Sequence, residues 1–470
     1  MASLNVRLKL HHYHPFNMVL VLVLLHLSPC HAFWRHLCFG ELGTARVDPI
    51  RSPGSPSQHA HVLFGASNIG LDPSIEDLLQ SNCTSCSILQ DKSNYWVPRL
   101  YFEHANGTYQ QVATSGGMTV YYFTEGQNTT AFPINFRMIT GDSTKRTFYG
   151  SQPPHPMAEW DEFDKTQPAI MEKAIGFNCL HYGKSANEGA LEHQGLRDKA
   201  FIDENCPDGI RAELMFPSCW DGVNLDSDSH SSHVAYPDAM KYGTCPDGYP
   251  VRLPTLFYET IYAVADFKGS EGQFVFANGD PTGYGYHGDF ICGWDDGILQ
   301  AAIDSPDCTK TLENAGNGLQ EDCPIFHLQN SYNATQCKME TPEILENEGV
   351  NLVNRLPGNV EVQAGPEPAT IPPSDVPALA SSVVTAASES LVSSSGHATT
   401  TGPSSATNEP ISPGANFHTT TSVYTKDGVE IHMILVQEVL TVTASEPVPA
   451  ASYHKRHHRH NGHQGRHGQF

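Results

Sequence analysis

Imidazole and carboxylate side chains crowd three stretches of this chain. Residues 211–237 (RAELMFPSCWDGVNLDSDSHSSHVAYP) hold Arg211, Trp220, Asp221, Asp226, Asp228, His230 and His233. Residues 283–295 (GYGYHGDFICGWD) add Tyr284, His287, Asp289 and Trp294. Far upstream stand His59 and His61, separated by one residue. Histidines at i and i+2 of a strand project to one side, which suits chelation of a single ion. Neutral imidazole is a ligand for zinc and copper, and a catalytic zinc keeps three protein ligands and one open position. The reading is therefore a metal site of His59, His61 and His233, with His287 able to replace one of them. Asp289, His287 and Asp221 are the candidate catalytic groups, orienting an imidazole or moving a proton. Arg211 and Arg252 are candidates to hold an anionic or hydroxylated substrate. Trp220, Tyr284 and Trp294 are candidates for a platform on which a sugar ring stacks.

Other chemistries find little support. There is no GxSxG elbow for a serine nucleophile. A CxxC at Cys83 and Cys86 has no thioredoxin-like context and no second close pair for a four-cysteine zinc site. A copper site on an N-terminal histidine would need cleavage before His31, whereas the small residues at −3 and −1 place the cut after Ala32. A formal net charge of −24 opposes a nucleic-acid partner, which requires clustered Lys and Arg.

The elements that must position these groups read as mostly β. Residues 96–103, 117–123, 211–216, 251–267 and 273–276 are short β-rich runs between Gly, Pro, Asn and Asp turns. They predict a single disulfide-stapled domain of sandwich or jelly-roll type with few short helices. Two helices are expected: 71–79, capped by Asp72, and 295–303, capped by Asp295 or Asp296.

The chain divides by composition. Residues 1–32 read as a secretory signal peptide, with Arg7 and Lys9 before an apolar run too short to span a bilayer. The globular domain is expected over 33–345, followed by a disordered Ser/Thr/Pro-rich linker at 346–416. A β-hairpin is expected over 417–446, turning at Asp427-Gly428, and a His-rich basic tail over 447–470. Eleven cysteines follow the signal, enough for five disulfides and one thiol in an oxidising compartment, with pairing open. Sequons at Asn82, Asn106, Asn128 and Asn333 fit a secreted glycoprotein.

Several strings in order, HAHVLFGAS, CTSCSILQDKSNYWVPRLY, SCWDGVNLDS, SHVAYP and FVFANGDPTGYGYHGDFICGWD, carry a resemblance. Over about residues 48–308 the chain resembles a large family of secreted, mostly fungal proteins catalogued as domain of unknown function nineteen-ninety-six. The resemblance implies one extracellular domain and no established reaction. Its motif positions here include His59, His61, Cys219, Trp220, Asp221, His233, His287, Asp289, Trp294 and Asp295. Three functions then compete. The first is a metal-assisted enzyme, with zinc or copper, acting on extracellular or cell-wall glycan. It requires the histidines to meet in one cleft. The second is a non-catalytic wall or carbohydrate-binding protein, which requires an exposed aromatic strip and scattered histidines. The third is a metal-binding protein that works through the tail.

Overall fold

In a computed structural model of the chain, the described residues are 33–124, 128–149, 157–184, 188–309 and 318–370, with the backbone of 416–426 and 429–439. The signal segment, the Ser/Thr/Pro-rich stretch from 371 and the His-rich tail lie outside them.

Alternation of apolar residues builds the architecture. The strands are β1 (Phe33–Cys38), β2 (Gly43–Ala45), β3 (His61–Gly65), β4 (Asn94–Pro98), β5 (Leu100–His104), β6 (Tyr109–Gln111), β7 (Thr114–Phe123), β8 (Arg137–Gly141), β9 (Ile175–Leu180) and β10 (Gly209–Met215). They continue with β11 (Cys219–Trp220), β12 (Val234–Ala235), β13 (Val251–Arg252), β14 (Thr255–Tyr262), β15 (Gly272–Phe276), β16 (His287–Ile291) and β17 (Leu352–Val353). Two five-stranded antiparallel sheets, ordered β1-β7-β14-β10-β9 and β2-β3-β4-β16-β8, face one another. Trp34, Val120, Tyr122, Leu214, Leu256 and Tyr258 of the first sheet share a core with Val62, Phe64, Tyr95, Val97, Met138 and Phe290 of the second. The fold is thus the mainly β, sandwich-type domain that the short alternating runs imply.

The second sheet is apolar on both faces. Ala45, Leu63, Trp96, Ile139 and Ile291 point outward into a smaller core under Leu42, Val47, Ile69, Leu78 and Leu345. Loops therefore cover this outer face, and a buried site can form beneath them. Five disulfides fasten the cover and the sheets: Cys38–Cys86, Cys83–Cys337, Cys179–Cys206, Cys219–Cys245 and Cys308–Cys323. The CxxC cysteines bond elsewhere and not to each other, and among the described residues buried Cys292 is the free thiol. The asparagines of all four sequons are exposed.

Several sequence expectations are corrected. The run 96–103 is two strands in two sheets, because the chain turns at Arg99, whose guanidinium is bonded to Glu41 at 2.8 Å. The first helix is Ile75–Leu79 (α1). Its cap is Ser74, in a capping box with Asp77, and not Asp72. The helix expected at 295–303 begins at Ile298 after Gly297. The boundary at 345 is too early. β17 pairs with β6, Leu356 is buried, Gln363 N–H donates to Gly279 O and Ala369 N–H to Thr144 O. Composition without a core of its own does not prevent a strap from being held by a sheet already formed. The hairpin forms from Asn416–Lys426 (β18) and Val429–Val439 (β19), in full antiparallel register.

Candidate metal centre

Strand β4 lies between β3 and β16, and its register brings the upstream and downstream histidines together. His61 pairs with Pro98, and Asp289 pairs with Trp96 two residues earlier on β4. His61 and His287 thus stand at matching ends of their strands on the outer face. His59 precedes β3 in a bend and reaches the same place from the loop, where Ser57 Oγ donates to its carbonyl at 2.6 Å. The ring centroids are 4.5 Å apart for His59 and His61, 4.9 Å for His59 and His287, and 5.8 Å for His61 and His287. One nitrogen from each lies within 4.8 Å of the others.

Hydrogen bonds fix which nitrogen is offered. His61 Nδ1 donates to Val47 O at 3.2 Å, and His287 Nδ1 donates to Gly285 O at 2.9 Å. Both rings are thereby held in the tautomer with a bare Nε2. His61 Nε2 is buried without a partner, and His287 Nε2 stands 3.0 Å from His59 Nε2. Burial holds all three imidazoles neutral. His59 falls well below its ordinary range, from desolvation and then from its two neighbours. His61 does likewise, and His287 is lowered to about 4, chiefly by burial. His59 Nε2 donates to bare His287 Nε2, and a shift of that proton to His59 Nδ1 gives three neutral imidazoles whose nitrogens form a donor set suited to zinc or copper.

The cluster opens on a cleft of about 160 Å³ lined by Asp48, Arg51, His59, Gly141, His287 and Asp289 among others. Gly141 is needed there. Its φ is 86°, and a Cβ would lie 2.8 Å from His287 Cα. Asp289 is 1% exposed, and neither carboxylate oxygen has a hydrogen-bond partner. Desolvation first, and then the neighbouring Asp48, push it well above the usual carboxylate range. Asp48 is raised by burial too, although its Oδ1 accepts N–H bonds from Ile50 and Arg51.

Other residues singled out in the sequence stand elsewhere. His233 is not in the cluster. Its Nε2 meets Arg137 O at 2.8 Å and its Nδ1 meets Ser227 Oγ at 3.0 Å, so the ring ties its loop to β8. Asp221 closes its own turn by accepting from Val223 and Asn224. Arg211 lies on the other sheet, bonded to Glu213 at 2.6 Å. Trp220 Nε1 donates to Asn224 O, and buried Trp294 Nε1 donates to Tyr122 Oη. Tyr284 stacks on Phe148 with centroids 6.1 Å apart, beside a separate cavity of about 10 Å³. These three aromatics do not share a platform. Stretch 211–237 nevertheless borders the cleft wall, since Ile139 N–H donates to His230 O. Asp48 and Arg51 escaped the sequence reading. The signal for them was proximity, eleven and eight residues before His59 on a turn-rich approach.

A second grouping, His36 with Cys38 and Cys86, offers no thiolates because its sulfurs form a disulfide. His36 Nε2 instead meets Asp91 at 2.9 Å in a buried network with Tyr95 and Tyr122.

Among known proteins, a family model described as a domain of unknown function (DUF1996) matches residues 48–294, from the Asp48 turn to Trp294. No curated protein and no solved structure matches the chain.

Proposed function

This chain belongs to the DUF1996 family, whose model covers more than half of it, and we propose that it is a secreted, metal-assisted enzyme that cleaves extracellular glycan. The observation that carries the reading is the convergence of His59, His61 and His287 on one point at the floor of an open cleft. His59, His61 and His287 would hold the ion and leave room for water beside it, and the ion would supply a nucleophile near neutral pH by lowering that water's pKa. Asp289 stands two residues beyond His287 on the same strand face, and burial with Asp48 beside it favours its protonated form. It is the proton donor. Hydrolysis would put a water oxygen on the sugar carbon as the C–O bond to the leaving group breaks; the leaving oxygen would take the Asp289 proton, and the proton lost by the water would return to Asp289 through the cleft.

The non-catalytic glycan-binding alternative is less well supported. It needs an exposed aromatic strip, whereas Trp294 and Trp220 are buried and Tyr284 is engaged with Phe148. Secretion accords with five disulfides, and no described helix is long and apolar enough to cross a membrane. The test is release of new sugar ends from a panel of wall polysaccharides by the zinc- or copper-loaded full chain. Loss of release in both His59→Ala/His61→Ala and Asp289→Asn is expected. Release unchanged in the double variant would sink the reading.

A further inference from the structure

Asp289 presents a puzzle that the three histidines do not solve. A carboxyl group deep in a protein ordinarily collects N–H or O–H donors, because its desolvation is costly. Asp289 is 1% exposed and has none on either oxygen. Another buried carboxylate, Asp48 at 5% exposure, lines the same cleft. Asp48 is held rigidly, since its Oδ1 accepts from Ile50 N–H at 3.2 Å and from Arg51 N–H at 3.0 Å. Arg51 lines the same cleft. The Arg51 side chain is exposed at the rim and makes no ion pair with either aspartate. Two acids therefore face the same cleft with no donor or cation to satisfy Asp289.

We propose that Asp48 and Asp289 form a second cation subsite beside the histidine centre, taking a divalent ion through carboxylate oxygen. Oxygen donors of this kind suit hard or borderline cations such as manganese, magnesium or zinc, whereas the imidazole set favours zinc or copper. The two carboxylates lie on different supports, Asp289 on strand β16 and Asp48 on the loop that carries His61's acceptor Val47. An ion between them ties that loop to the sheet. It also supplies the positive charge that the buried oxygens lack. With this subsite filled, Asp289 is a ligand, and the proton for the leaving group comes from solvent through the cleft. Occupancy of the subsite thus decides which of two roles Asp289 plays.

Equilibrium dialysis against zinc, and separately against manganese, tests the proposal. The full chain carries alanine at His454, His457, His458, His460, His463 and His467, so that ions on the tail do not count. Two bound zinc equivalents are expected, falling to one in Asp289→Asn, one in Asp48→Asn and one in His59→Ala/His61→Ala. Manganese is expected to bind one equivalent that Asp289→Asn abolishes and the histidine variant retains. Thermal unfolding without metal checks that each variant folds. Asp289 has no hydrogen-bond partner to lose, so Asp289→Asn should not lower the midpoint, and Asp48→Asn provides the second route if it does. A single zinc equivalent in the parent, unchanged by Asp289→Asn, overturns the second subsite and leaves the histidine centre standing. No zinc at all overturns both. Two equivalents that survive both aspartate variants place the second ion elsewhere and overturn the subsite alone.

Discussion

Zinc should stabilise the fold through His59 by an amount that can be worked out beforehand. A ligand that binds only the native state adds RT ln(1 + [L]/Kd), about 2.7 kcal/mol at one hundred times Kd. For a domain of this size that raises the unfolding midpoint by about 5 °C. His59→Ala leaves two of three donors. Losing even an orienting partner of a ligand costs roughly 10–100-fold in affinity, so losing the ligand itself should cost at least about 100-fold. At the same zinc concentration the contribution of this centre then falls to about 0.4 kcal/mol, a shift under about 1 °C, and any increment beyond it belongs to the Asp48–Asp289 subsite. His59 is the right position to change because it is half-buried and its ring contacts the other two imidazoles rather than a backbone carbonyl. Truncation should barely move the metal-free midpoint. His61 would be a poorer choice, since its loss leaves Val47 O without its donor. The assay is differential scanning fluorimetry with zinc and with chelator, on chains carrying alanine at the six tail histidines. Equal zinc increments in parent and His59→Ala, whether large or zero, would refute the three-histidine centre.

Three further expectations concern the frame around the site. Gly141→Ala combines a left-handed backbone with a Cβ 2.5 Å from Tyr286 O. It should cost roughly 2 kcal/mol or more in urea unfolding and shrink the zinc increment, because His287 must move. The Cys83–Cys337 bridge spans 254 residues and Cys308–Cys323 only 15. On loop entropy alone, serine pairs should cost about 5.5 and about 3 kcal/mol respectively, so the first should lower the midpoint more. Glu213, fully buried on β10, is raised to about 7, by desolvation against the opposing pull of Arg211. A raised carboxylate favours folding while protonated. Its contribution is fully present below about pH 4.5 and is lost as pH rises through about 7, at most about 3 kcal/mol. Glu213→Gln should flatten that part of the stability–pH curve, and an unchanged slope between pH 4.5 and 7 would count against the assignment.

The residue types of the centre were legible early. His59, His61, His287 and Asp289 stand out because imidazoles at i, i+2 spacing and an acid two residues from a histidine are patterns that one strand face can display. Strand character was also local, since β-branched and aromatic alternation in 117–123 and 211–216 needs no partner to be read. Disulfide bonding followed from counting cysteines. Which third histidine completes the cluster was not legible. His233 lies among polar residues and looks like a ligand in sequence, but its ring is held by Arg137 O and Ser227. His287 joins the cluster because β4 pairs with both β3 and β16, a relation between segments more than 180 residues apart. Strand order is set by side chains from all the strands packing at once, and no window of one strand contains it. The same holds for the aromatics. Trp220, Tyr284 and Trp294 have identical chemistry whether they line a groove or fill a core, and only the packed sheets direct Trp294 inward onto Tyr122. Asp48 shows the limit most plainly. An aspartate before a proline in a loop reads as a turn residue, and so it is, through Oδ1. Its nearness to the orphaned carboxylate of Asp289 exists only because the loop folds over the outer face of the sheet, so that both acids line one cleft.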